Sequence, residues 1–250
     1  MSRQDGPRRR PAAPGRRPPE DHAALGRTKT SPPGRPASHL PALVPAPDGG
    51  TRARDVAAPP DLRPFTPAVL AVADKYGYDA EHARQVSDLA LQVFLALPQV
   101  HRLGPDWAPL LEHAALLHDI GYFIRAEGHH RHSRYLIRHD ALLTAYPQPW
   151  RDALALIARN HRKRPRPAPR SWGSARARAV LALATLLRIA DGCDYGHDGA
   201  ACLSGLRIRR GGLDVVVSGV HLAPLAPVLR RKSRLFAKTF ALPVRFRSEA

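Results

Sequence analysis

The chain has 250 residues, 44% of them hydrophobic, enough for one domain with a genuine core and appendages. Its 39 Lys and Arg against 21 Asp and Glu give a formal net charge of +18, which favours anionic partners: nucleotides, phosphate polymers, nucleic acid or an acidic membrane surface. Two cysteines, Cys193 and Cys202, without CxxC spacing exclude a disulfide framework or a cysteine zinc site. No run reaches the roughly 18 to 20 apolar residues of a bilayer span and no secretory core opens the chain, so a soluble, cytoplasmic protein is expected.

Residues 1 to 64 are rich in Pro, Arg, Gly and Ala without a sustained apolar period, and so predict a disordered tail. Prolines at 7, 11, 14, 18 and 19 break the amphipathic helix that an Arg-rich transit peptide needs. Two readings of the tail stand: non-specific contact with nucleic acid, or an inert extension.

Helical periodicity begins near Pro67. Asp79 caps an expected helix from Ala80 to Leu97, whose apolar stripe of Val86, Leu89, Ala90, Val93, Phe94 and Leu97 also carries His82. A second helix, about Trp107 to Ile120, sets His118 above Leu111 and Ala114, with Gly121 as its stop. A third spans about His130 to His139. Pro149 opens a fourth, with Trp150, Ala153, Leu154 and Ile157 facing inward and His161 on the same side at its end. A fifth, about Ser174 to Asp191, buries Val180, Leu183, Ala184 and Leu187 and turns Asp191 inward. Beyond Gly192, LRIRRGGLDVVVSG reads as two strands joined at Gly211-Gly212, followed by a helix over 225–240 and a last strand in LPVRFR. The expected fold is therefore mainly α: a helical metal-binding domain over 65–192, a small α/β appendage over 193–250, and the tail.

His82, His118, His161 and Asp191 lie on four helices, all on apolar sides. A lone inward histidine is usually a satisfied core residue, but several imidazoles buried with the carboxylates of Asp119 and Asp191 are costly without a shared partner, and a divalent cation satisfies both residue types. The adjacent pair His118-Asp119 at a helix end can direct an imidazole and a carboxylate to one ion. Between Arg159 and Arg178, around and after His161, the residues Arg159, Arg162, Lys163, Arg164, Arg166, Arg170, Arg176 and Arg178 form a run without an acid. It reads either as a solvated loop or as a phosphate anchor beside the metal, with Arg162, Lys163, Arg164 and Arg166 as the candidates. Trp172 alone interrupts the run, too little aromatic surface for sequence-specific nucleic-acid reading.

The order H…HD…D, carried by His82, by His118-Asp119 in LLHDIGYF and by Asp191 in LLRIADG, resembles the HD superfamily of metal-dependent phosphohydrolases. KYGYDAEHARQV, AALLHDIGYFIRAEGHHRHSRYLIRH, ALIARNHRKR and LATLLRIADGCD are more closely similar to the carboxyl-terminal HD-like region of the exopolyphosphatase/guanosine pentaphosphate phosphatase (Ppx/GppA) family, over about Pro67 to Phe246. The resemblance implies an HD-type helical bundle. It implies a primary metal site of His82, His118, Asp119 and Asp191, and a second ion at His129 and His161, with His132 competing with His129 and Asp119 bridging the two ions. Asp119 is accordingly the catalytic candidate. The cofactor is one or two ions of Mn, Mg, Fe, Co or Zn. In that family the phosphatase reaction belongs to amino-terminal actin-like domains, which residues 1 to 64 do not resemble. Two functions follow: a phosphohydrolase for a nucleotide, guanosine alarmone or polyphosphate, or a non-catalytic module that binds polyphosphate or an alarmone.

Overall fold

In the computed structural model the described residues are 58–249 apart from Arg210, so the expected tail falls, over 1–57, outside them. The fold starts ahead of the expected boundary at 65, because Leu62 is fully buried and a 3-10 turn at Arg63–Phe65 leads into helix α1, Thr66–Lys75. Helix α2, Ala80–Ala96, begins where Asp79 accepts a hydrogen bond from the His82 amide, satisfying an orphan donor of the first turn. A single turn, α3 at Pro98–His101, closes with Arg102 in the left-handed region.

Helix α4 spans Ala108–Leu117 and is followed by a 3-10 turn at Ile120–Phe123, so it ends earlier than the expected Ile120. Ser133 explains the early stop. Its hydroxyl donates to the His118 carbonyl at 2.6 Å, and the Tyr122 amide, which an α-helix would send there, bonds the Asp119 carbonyl instead. Gly121 is not the left-handed cap that the sequence suggests. It is a point of close approach: a Cβ there would collide with the His129 carbonyl and the Ser133 backbone, while its amide donates to the Ser133 hydroxyl at 2.9 Å.

Helix α5, His129–His139, is held to α1 by Asp140, which accepts from the Tyr76 hydroxyl at 2.6 Å and from Lys75 at 2.7 Å. Helices α6, Trp150–Arg159, and α7, Gly173–Cys193, complete the bundle. Helix α7 has to be apolar around most of its girth because it is central. It buries residues from Ala179 through Cys193 on almost every side, among them Asp191.

Strands β1, Cys202–Arg209, and β2, Gly212–Ser218, pair antiparallel. Strand β3, Val244–Ser248, pairs parallel to β2, giving the order β1-β2-β3. The parallel crossover is α8, Leu222–Phe240, which packs on α7, with Leu229 and Lys232 against Gly192 and with Leu225, Leu229 and Phe236 buried in the common core. The chain is thus mainly α with a small α/β end, and no helix among the described residues is long and apolar enough to cross a membrane.

Candidate functional site

The early end of α4 sets the geometry of the site. His118 closes the helix and Asp119 stands in the turn just beyond it, with Ser133 tying this corner to α5. The neighbouring His118 and three histidines from other parts of the bundle converge on the Asp119 carboxylate. On one side its Oδ2 lies 3.5 Å from His118 Nε2 and 4.0 Å from His82 Nε2. On the other its Oδ1 lies 3.3 Å from His129 Nε2 and 3.5 Å from His161 Nε2. Two triads share one carboxylate, and in each triad the ligand-type atoms lie within 4.8 Å of one another.

The far nitrogen of every ring is already engaged. His118 Nδ1 donates to the Ala115 carbonyl at 2.7 Å, His161 Nδ1 to Ala158 at 2.7 Å and His129 Nδ1 to Ala126 at 3.0 Å, while His82 Nδ1 meets Asp194 Oδ2 at 2.7 Å. These contacts fix each ring's orientation and turn the Nε2 lone pairs toward Asp119, as the partners behind metal-bound imidazoles do. His82 Nε2, His118 Nε2 and Asp119 Oδ1 are buried and make no hydrogen bond. Orphan acceptors of this kind cost free energy that a cation would recover, so the donor set fits a divalent ion.

Charge at the centre follows burial and proximity. Burial opposes ionisation of Asp119, yet His118, His161, His129 and His82 hold its carboxyl well below the usual range. Burial pushes His161 well below its ordinary value and His118 down as well, leaving both rings neutral; His118 Nε2 has no hydrogen-bond partner, and His161 Nε2 lies 3.3 Å from His129 Nε2. His82 is raised: burial lowers it, but the Asp194 contact and the charges of Asp119 and Asp191 outweigh that. The carboxylates around His82 thus call for positive charge.

Asp191 is buried at the same centre but belongs to neither triad, because its carboxylate forms an ion pair with Lys232 of α8. Burial raises the Asp191 carboxyl, and the Lys232 ammonium with His161 and His118 more than reverses this. Of the competitors on α5, His129 enters the site and the half-buried His132 does not. The basic loop divides. Arg162 and Lys163 line the cavity of about 540 Å³ above the centre, with Arg162 Nη1 donating to His129 Nε2 at 3.1 Å, whereas Arg164 and Arg166 lie outside it.

Much of the cavity's charge was not expected from the sequence. Arg231, Lys232, Arg234 and Lys238 of α8 and Arg188 of α7 line it. Arg188 is buried, its guanidinium lowered to about 10 by that burial, and its Nε donates to the Asn160 carbonyl at 2.6 Å beside His161. His197 stacks on His82 at 3.6 Å and Tyr122 on His129 at 4.0 Å, walling the centre with rings. The signal that could have found the α8 cations was their spacing at i, i+1, i+3 and i+7, a helix face made of one charge.

The family model of the Ppx/GppA phosphatase, domain III, matches residues 66–204. The chain is 30% identical over 114 residues to a guanosine-5'-triphosphate,3'-diphosphate pyrophosphatase of Pseudoalteromonas atlantica, covering 45% of this chain and 22% of that protein. Proteins of the same name from Aeromonas hydrophila, 31% identical over 119 residues, and Aeromonas salmonicida, 30% over 115 residues, match 47% and 46% of this chain and 24% and 23% of their own lengths. The chain therefore spans less than a quarter of the curated relatives it matches.

Proposed function

We propose that the chain, which belongs to the Ppx/GppA phosphatase domain III family, is an HD-type, metal-dependent phosphohydrolase acting on a phosphorylated ligand: a nucleotide, a guanosine alarmone or polyphosphate. The observation that carries this reading is the Asp119 carboxylate set between two histidine pairs whose Nε2 atoms all face it. His82 and His118 would hold one ion, His129 and His161 a second, and Asp119 would bridge them. Asp191 would join on release from Lys232. Ions bound there would supply a nucleophilic water at neutral pH and polarise a phosphoryl oxygen.

The remaining work falls to the chain's own side chains. Arg162, Lys163, Arg231, Arg234 and Lys238 at the cavity wall would anchor phosphates beyond the reacting one, Arg in forked contacts and Lys as a point charge. Lys232, close to the centre, would neutralise charge on a phosphoryl oxygen. Tyr122 and His197 exclude water from the rings of His129 and His82. The names of the relatives, guanosine-5'-triphosphate,3'-diphosphate pyrophosphatases, support a substrate with several phosphates.

A second reading, a module that binds such a ligand without hydrolysing it, is favoured by one fact: the match covers less than a quarter of each relative. Phosphate release separates the two. The enzyme reading expects the full chain to release phosphate from at least one member of a panel of nucleotides, guanosine phosphates and polyphosphate with Mn²⁺, Mg²⁺, Co²⁺, Fe²⁺ or Zn²⁺, and expects His118→Ala to abolish release while still binding polyphosphate. Tight binding with no turnover across the panel would leave the module.

A further inference from the structure

A second cleft, of about 550 Å³, is lined by Arg134 and Arg138 of α5, Asp152 and Leu156 of α6, and, from the segment that follows, Arg166 to Pro169 and Trp172. Arg138 is nine residues from His129, about two and a half turns, which puts it on the other side of α5 from the metal-type centre. The single carboxylate in the lining, Asp152, is already taken: Arg138 Nε donates to it at 2.6 Å. Arg134 is half-buried and Arg166 is exposed, and neither guanidinium makes a hydrogen bond or ion pair among the described residues. Arg159, at the end of α6, is half-buried as well, and its Nη1 is shut from water without a hydrogen-bond partner.

These guanidinia act on one another. Arg134 is lowered by its burial and then by Arg138 and Arg166; Arg159 is lowered by its burial and then by Arg131, Arg166 and Arg134. Like charges partly withdrawn from water cost free energy, and a fold that gathers them without a counter-ion has left room for one. The gathering is also rigid. The Arg166 amide donates to Asn160 Oδ1 at 2.8 Å and the Asn160 amide donates to the Arg166 carbonyl at 3.0 Å, while Pro165, Pro167 and Pro169 fix the backbone on both sides. A site held this way loses little entropy when a ligand arrives. Guanidinium forks match phosphate oxygens, and Trp172 with Leu156 offers an apolar wall beside them.

We propose that this cleft is a separate anion site for a pyrophosphate group, either inorganic or carried by a nucleoside diphosphate. It does not depend on the metal centre, and its test needs no turnover. Trp107 and Trp150 are buried and Trp172 lines the cleft, so Trp172 fluorescence is a local readout. The full chain, stripped of metal with a chelator, is titrated separately with inorganic pyrophosphate and with ADP. A saturable fluorescence change is expected in the wild type, none in Trp172→Phe, and an affinity weaker by about tenfold or more in Arg134→Gln/Arg166→Gln, where two charged donors are lost. Arg231→Gln/Lys238→Gln, which alters the other cavity, should leave this titration unchanged. Without anion, the Arg134→Gln/Arg166→Gln chain should melt no lower than the wild type, because removing repulsion costs the fold nothing. Tighter binding of ADP than of pyrophosphate identifies a nucleotide as the ligand, and equal binding identifies the inorganic group. A flat titration, wild-type affinity in the double arginine variant, or a lower melting temperature of that variant in anion-free buffer overturns the proposal.

Discussion

Both clefts of this molecule are rich in cations, but they are built on opposite electrostatic plans. In the first, two buried carboxylates, Asp119 and Asp191, form a negative floor among imidazoles, and the basic side chains of Arg162, Arg231, Arg234 and Lys238 stand on the walls. In the second, guanidinia face one another and the one acid is already paired. The first arrangement suits a cation below and an anion above, the order of charges that the proposed metal-assisted phosphoryl reaction needs. The second suits an anion alone, as proposed above. A total of +18 therefore says little until the acids among the bases are placed.

The corner that builds the first cleft is the place where this contrast breaks most easily. Gly121→Ala forces a methyl group into the α5 backbone and should cost about 3 kcal/mol, the upper range for overpacking, read as a fall in denaturation midpoint together with loss of metal binding. An equal midpoint would mean that α5 can move away without harm.

A buried histidine that lines neither cleft provides the control for charge effects. His113 lies under Tyr146 and Thr66, and burial lowers it to about 4 from an ordinary 6.5. Its folded value is depressed, so its neutral form contributes stability that is fully present above pH 6.5 and is lost as pH falls toward 4. The loss amounts to about 3 kcal/mol across that window. Chemical denaturation between pH 4 and 7 should show a shallower slope in His113→Gln than in the wild type.

Asp194 sharpens the metal side of the comparison. It orients His82 from behind, so Asp194→Asn should weaken binding of one ion by about 10- to 100-fold, as loss of such a partner does elsewhere, with the second ion less affected. Calorimetric titration with Mn²⁺ checks this. The smallest effect is expected at Lys232. Its ammonium occupies Asp191, so Lys232→Gln should tighten metal binding, by about tenfold, a modest share of the attraction between such charges at contact.

Helical periodicity made most of this legible. His82 falls on the stripe of α2, and His161 follows the inward face of α6, so their convergence with His118-Asp119 could be read from spacing alone. The strand pair around Gly211-Gly212 and the closing helix and strand were readable for the same reason. What stayed hidden depends on distances across the chain. Lys232 lies 41 residues beyond Asp191 and in sequence looks like part of a solvated basic face. Arg164 and Arg166 seemed to belong with Arg162 because they are neighbours in sequence. Lys163, in the left-handed region at φ 57°, and the prolines that follow turn the chain away, and Arg166 reaches the second cleft instead. Gly121 looked like a helix stop because a glycine after an amphipathic run usually is one, and only the position of α5 reveals the close approach.

The central claim is that Asp119 is the carboxylate shared by two ion sites. Elemental analysis of the purified full chain and of Asp119→Ala, after equilibration with Mn²⁺ and removal of excess ion, tests it most directly. Two ions per wild-type chain and close to none in the variant, with the helical circular dichroism of both unchanged, is the result this account predicts. Equal metal content in the two chains would contradict it.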